Sequence, residues 1–396
     1  MTVSNRIKNQ LGGSSLIRKM FEEGDRLKKL YGEDKVYDFS IGNPNIEPPA
    51  AMKKILRELA DDPTPGMHRY MSNAGYAETR RAVAEVLAEN SGRPVNESHV
   101  VMTVGASGAL NVSLKTILDP GDEVMILSPF FVEYKFYTEN HGGQVKVVDT
   151  REDFQIDVDA IAQAIGPQTR AIIINNPNNP TGVIYSAESL DRLNAVLESA
   201  SRQHGRPIYV LSDEPYAKIS YDGVKVPPIF KHIKYSLLCT SHSKDLALPG
   251  ERIGYVAANP DIDEVGLMMD GLIMSNRILG FVNAPALMQR IVAGLQRESV
   301  NIAEYQEKRD LFYDNLTAMG YQMVKPQGAF YLFPRSPLPS CLEFAQKAAE
   351  KNILVVPGVG FGKPGYFRIA FCVDKKMIQN SLPSFKALAE ELGLKP

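Results

Sequence analysis

Seven short apolar runs rich in β-branched residues recur between residues 99 and 258: HVVMTV, DEVMILS, QVKVVDT, RAIIINN, PIYVLSD, SLLCTS and RIGYVAA. Runs of this kind are the pattern of strands buried on both faces. Helical patterns such as SAESLDRLNAVLESA separate several of them. The alternation predicts an α/β fold whose large domain is a mostly parallel seven-stranded sheet flanked by helices. Several runs end in polar or glycine-rich residues: GASG, NNPNNPTG, DEPY and SHSK. Ligands of open α/β sheets bind beyond the carboxyl ends of the strands. A shared site is therefore expected at that edge.

The texture changes after about residue 286. A long helical region leads into GAFYLFP, NILVVPG and YFRIAFCV, which predict a smaller α+β domain. The N-terminal segment is expected to pack with it. The predicted division is a large domain at 50–285 and a small one built from 1–49 and 286–396. Within the N-terminal part, SSLIRKMFEEGDRLKKLYG places Ile17, Met20, Phe21, Leu27 and Leu30 near helical spacing after a serine cap. An amphipathic helix is expected there, and a second one at YAETRRAVAEVLAEN.

Composition narrows the function classes. Net charge is -2 and the basic residues are scattered, which argues against nucleic acid or an anionic membrane as partner. No window approaches 18 uninterrupted apolar residues, so no membrane span is expected. Cys239, Cys341 and Cys372 are far apart and odd in number. That pattern suits buried thiols in a reducing compartment, and a cytoplasmic location is expected. The six histidines are dispersed, and neither HExxH nor GxSxG occurs, so no metal site or serine hydrolase is predicted. GFGKPG, residues 360–365, matches GxGxxG, but Pro364 and the strand-like YFRIAF follow where a dinucleotide site needs a helix.

Four motifs carry chemistry. In TVGASGALNVSL a strand ends, Gly105, Ala106 and Ser107 turn, and a helix begins near Ser107. Free N–H groups and the helix dipole suit a phosphate there, although a plain strand-to-helix turn gives the same pattern. NNPNNPTG combines stiffening prolines with amides able to donate to an oxygen. SDEPY puts Asp213 at a strand end, where it either meets a cationic ring nitrogen or caps a helix. SHSKDLALPGERIGY sets Lys244 between hydroxyls and ahead of an arginine. A lysine amine with a lowered pKa forms a Schiff base with an aldehyde. Ser241, Ser243 and Arg252 are phosphate-holding types. An aldehyde, a phosphate and a ring nitrogen together describe pyridoxal 5'-phosphate.

With these motifs in this order, the chain resembles the fold-type I, class I/II aminotransferase family. YMSNAGYAETR and YFRIAF extend the likeness over nearly the whole sequence. The resemblance implies that Lys244 bonds to the cofactor and moves the proton at the substrate Cα. It implies that Asp213 holds the pyridine nitrogen protonated, that Asn179 and Tyr216 bind the ring hydroxyl, and that Phe131 stacks on the ring. Gly105, Ala106, Ser107, Ser241, Ser243 and Arg252 would cup the phosphate. Tyr70 would reach the neighbouring subunit's phosphate, which implies a homodimer with shared sites. Arg368 would take the substrate α-carboxylate, helped by Gly42 and Asn179. A lone charge in the apolar strand YFRIAF also needs a partner.

The implied activity is transfer of an amino group from an L-amino acid to a 2-oxo acid, with aspartate and 2-oxoglutarate as leading expectation. Arg277, in IMSNRILGFVNAP, stands where a second cation for a dicarboxylate would be, but a helix-end or dimer-surface role fits it equally. Two other readings use the same fold: a β-lyase acting on sulfur amino acids, and a regulator without activity. An intact Lys244 and the lack of a basic appendage argue against the second.

Overall fold

The computed structural model describes residues 2–13, 24 and 26–395. Following β1 (Tyr37–Asp38), every one of the seven runs forms a strand. These are β2 (Val100–Thr103), β3 (Glu123–Ser128), β4 (Gln144–Asp149), β5 (Thr169–Asn175), β6 (Tyr209–Asp213), β7 (Ser236–Ser241) and β8 (Gly254–Ala258). They join in one sheet of order β2-β8-β7-β6-β5-β3-β4. β3 to β7 pair in parallel, while β8 runs antiparallel to both β2 and β7.

Burial explains why the runs are continuous rather than alternating. Val100, Met125, Ile172 and Val210 face one apolar cluster. Their neighbours Val101, Val124, Ile173 and Leu211 face a second cluster on the opposite side. Both faces are covered, so every position of an inner strand must be apolar. β4 is the exception. It pairs only with β3, is half exposed, and carries Lys146, the type of residue that keeps an edge strand from recruiting another chain.

The late runs build a second core. β9 (Tyr331–Leu332), β11 (Val356–Pro357) and β12 (Phe367–Ala370) form an antiparallel sheet, and β10 (Ile353–Leu354) pairs in parallel with β1. Phe39 from the N-terminal segment packs there with Phe312, Phe385 and Ile369. The predicted division differs from the packing at two places. Met288, Ile291, Val292 and Leu295 pack in the first cluster, with Met52 and Ile55 against it, so the first core runs past residue 286. Conversely, Tyr216, Ile219 and Tyr221 leave the large sheet and pack in the second core.

The helix expected over residues 14–32 falls largely on 14–23 and 25, outside the described residues. Its end, residues 26–31, is helical. Leu27 is buried there, whereas Leu30, expected on the same apolar face, is exposed. The second expected helix is present as Ala77–Ser91. No described helix is long and apolar enough to cross a membrane. Among the described residues no group of three or more His, Cys, Asp or Glu could hold a metal.

Candidate active site

Parallel strands bring their carboxyl ends to one edge of the sheet. Asn175 closes β5, Asp213 closes β6 and Ser241 closes β7. β8 runs the other way, so its beginning lies at this same edge, with Gly254 opposite both Ser241 and Thr103. The chain between β7 and β8 turns through Pro249–Glu251, and Arg252 takes the left-handed conformation at φ 51°. The turn carries Arg252 back to the site beside Lys244.

These ends border a cavity of about 390 Å³. Ala106, Ser107, Phe131, Asn179, Asp213, Tyr216, Ser241, Ser243, Lys244, Arg252, Arg368 and Gly42 all line it. Gly105 stands just behind, at φ +78°. A Cβ there would lie 3.1 Å from the Arg252 guanidinium, so the glycine lets the arginine lie against the turn. The helix begins at Gly105, two residues earlier than expected, and has no side-chain cap. Its first N–H groups are therefore available to an anion.

Tyr70 and Arg277 are not brought to this cavity within one chain. Tyr70 is 89% exposed. Arg277 is exposed near the end of helix Val265–Ile278, its Nη2 3.1 Å from Met274 Sδ.

Lys244 is held by its surroundings. Its Nζ donates to the Gly42 carbonyl at 2.8 Å and lies 5.4 Å from the Phe330 ring centre. Burial lowers its pKa to about 8, and the Arg368 and Arg252 charges add to the lowering. The amine is thus readily available in its neutral, nucleophilic form. Gly42 must be glycine, because a Cβ would come within 2.1 Å of the Tyr331 hydroxyl.

Asp213 accepts from the Tyr134 hydroxyl at 2.5 Å on Oδ2, while its buried Oδ1 has no hydrogen-bond partner. Burial raises its pKa to about 7, against the pull of Tyr134. The neighbouring Glu214 is raised to about 8, again by burial first. An orphaned carboxylate oxygen at a cavity wall is what a cationic N–H would satisfy. The residues therefore fit pyridoxal phosphate: an oxygen for the ring nitrogen, two serines with Arg252 and a helix end for the phosphate, and a buried lysine for the aldehyde.

A pH effect follows for the cofactor-free protein. Both raised carboxyls keep protons in the folded chain where the unfolded chain has lost them. Their stabilising contribution is complete below about pH 4 and is lost as pH rises through about 7 and 8. Denaturant unfolding at pH 5 and pH 8 is expected to show lower stability at pH 8, by up to about 1.4 kcal/mol per pH unit for each group. Asp213→Asn with Glu214→Gln should flatten the dependence, and an unchanged slope would exclude these two carboxyls as its source.

Arg368 sits in β12, 8% exposed. Its Nη1 donates to Asn179 Oδ1 at 3.1 Å and its Nη2 to the Ser40 carbonyl at 2.7 Å. The guanidinium lies 4.6 Å from the Tyr331 ring centre and 4.8 Å from that of Phe361. No described carboxylate is within ion-pair distance of it, and Nε is buried without a partner. A buried cation so placed calls for an anionic ligand.

Several groups at the site escaped sequence reasoning. Tyr134 holds Asp213 from three residues past Phe131. Asn175 donates to the Asp213 carbonyl at 2.8 Å and accepts from the Asn179 N–H at 2.6 Å, so it ties two strand ends together. Tyr331 shares a 2.9 Å hydrogen bond with Tyr216. The GFGKPG stretch opens no helix; a 3-10 turn (Gly358–Phe361) leads on to β12, and the turn's Phe361 supports Arg368. Tyr134 carried a signal by standing close to Phe131, and Asn175 opens the NNPNNPTG stretch already singled out for its amides, though its tie to Asp213 was not foreseen.

The model of the family described as aminotransferase class I and II matches residues 34–385. The chain belongs to the class I and II aminotransferases. This aminotransferase is 31% identical over 352 residues to the aspartate/prephenate aminotransferase of Thermus thermophilus, covering 87% of this chain and 89% of that one. It is 30% identical over 407 residues to aromatic-amino-acid aminotransferase 2 of Thermococcus litoralis, covering 100% of each. A crystal structure of an amino transferase from Eubacterium rectale superposes with a TM-score of 0.95 at 40% identity, covering 99% of each chain. The aminotransferase fold accounts for the seven-stranded, mostly parallel sheet.

Proposed function

We propose that the enzyme moves an amino group from an L-amino acid to a 2-oxo acid with pyridoxal phosphate bound in the cavity between the two cores. The observation that carries this reading is one cavity wall holding both a buried lysine amine and an unpartnered buried carboxylate oxygen. Bound there, pyridoxal phosphate supplies an aldehyde that exchanges amines and a ring that takes up electron density released at the substrate Cα.

The protein's own groups divide the remaining work. Asp213 Oδ1 would hold the proton on the ring nitrogen. Ser241, Ser243, Arg252 and the first N–H groups of helix Gly105–Ile117 would hold the phosphate. Phe131 lines the cavity where it would stack on the ring, and Asn179 and Tyr216 would hydrogen-bond the ring hydroxyl. Arg368 takes the α-carboxylate as a forked pair, oriented by Asn179 and the Ser40 carbonyl. Lys244 then stands as the base that removes and returns the proton at Cα. Phe330, Tyr331 and Phe361 keep water from the charges.

We further propose a homodimer with shared sites. Support comes from Tyr70, Met274 and Ile278, which are exposed, and from Arg277 beside the latter two. A cytoplasmic location is supported by three free, buried cysteines.

The test is a panel of L-amino acids with 2-oxoglutarate and pyruvate, including aspartate with 2-oxoglutarate read as glutamate. Transfer to at least one 2-oxo acid is expected. Release of pyruvate and ammonia from cysteine conjugates, without transfer, would support the β-lyase alternative instead.

A further inference from the structure

One charged group in the cavity has no part in the chemistry above. The lining residues include three cations, Lys244, Arg252 and Arg368, and two acids, Asp213 and Glu133. The three cations and Asp213 are each matched to the cofactor or to the α-carboxylate. Glu133 is left over.

Glu133 opens helix Glu133–Asn140, two residues after Phe131. Its Oε2 is buried and has no hydrogen-bond partner, and no described cation is within ion-pair distance of it. Burial raises its pKa, while its own backbone N–H and the Arg368 charge oppose the rise. Glu133 and Arg368 line the same cavity. A buried carboxylate oxygen without a partner carries a desolvation cost that a ligand donor removes. A ligand carboxylate beside it adds like-charge repulsion.

We propose that Glu133 selects the amino donor, accepting the side-chain ammonium of a donor whose α-carboxylate is held by Arg368 and disfavouring donors with a second carboxylate. The proposal rests on the aminotransferase reading. Monocarboxylic 2-oxo acids are, on the same ground, better acceptors than dicarboxylic ones.

The test uses three donors of similar length and different charge: ornithine (cationic), norvaline (neutral) and glutamate (anionic). Their α-methyl analogues keep the α-amine but lack the Cα hydrogen, so calorimetric titration of the holoenzyme reads binding, amine exchange included, without amino transfer. The ornithine analogue is expected to bind about 30-fold tighter than the norvaline analogue, and the glutamate analogue weakest. In Glu133→Gln, the ornithine advantage should fall about 30-fold and the glutamate penalty should shrink. Equal tightening of all three in the variant would mean that Glu133 merely competes for Arg368, and would overturn the proposal. So would an unchanged order. If the variant does not fold, the native series decides: an ornithine analogue that binds no tighter than the norvaline analogue overturns the idea. Amino transfer from alanine by the native enzyme separates the two layers. Its presence with no charge ranking sinks only the role of Glu133, whereas failure of every donor sinks the aminotransferase reading.

Discussion

Lys244→Ala is expected to lower amino transfer by about 10⁴-fold or more, because it removes the proposed covalent anchor and proton carrier in one change. The site is built around that amine. Its Nζ is held at 2.8 Å from the Gly42 carbonyl, and burial holds its pKa near 8. No other described lysine lines the cavity, so no described neighbour can substitute. The native protein, purified with its cofactor, should absorb in the visible region, and the variant should lose that band. Single-turnover measurement with any accepted donor gives the rate. A variant within tenfold of the native rate would remove Lys244 from the chemistry. Circular dichroism and the melting temperature should change little, since deleting a buried amine removes a desolvation cost as well as a contact.

Arg368→Lys is expected to reduce kcat/KM for every substrate by about 10²- to 10³-fold, that is by about 3–4 kcal/mol of transition-state binding. Arginine and lysine carry the same charge, so this variant isolates geometry. The guanidinium reaches Asn179 Oδ1 and the Ser40 carbonyl with one nitrogen each and lies against two aromatic rings. An ammonium offers neither the fork nor the flat face. The loss should be similar for alanine and for larger donors, because all share the α-carboxylate. Unchanged kinetics, or a loss confined to one class of donor, would refute the assignment.

The fold was legible because its inner strands are buried on both faces. That condition forces apolar residues at consecutive positions, and these read directly as runs such as RAIIINN. The order of the strands left no such trace. β8 lies between β2 and β7 and runs against both, yet RIGYVAA resembles the other runs. Likewise Met288 and Ile291 continue a helical pattern that belongs, by packing, to the first core. A local pattern states that a face is apolar and leaves open which surface covers it.

The chemistry followed the same division. By itself the sequence determined the kinds of group available: a lysine between serines, an aspartate at a strand end, a lone arginine in an apolar strand. Local residue type and spacing suffice for that, since strand ends and turns are short-range features. Only the tertiary structure decided how those groups meet. The turn at Pro249–Glu251 returns Arg252 to the site beside Lys244, burial shifts the pKa values of Lys244 and Asp213, and Tyr331 from the second core and Phe361 from the turn ahead of β12 lie against Arg368. It also revealed the buried Oε2 of Glu133 as an oxygen without a partner, which no motif marks. Burial and partnership depend on segments far apart in the chain, so they exist only once the two cores have packed.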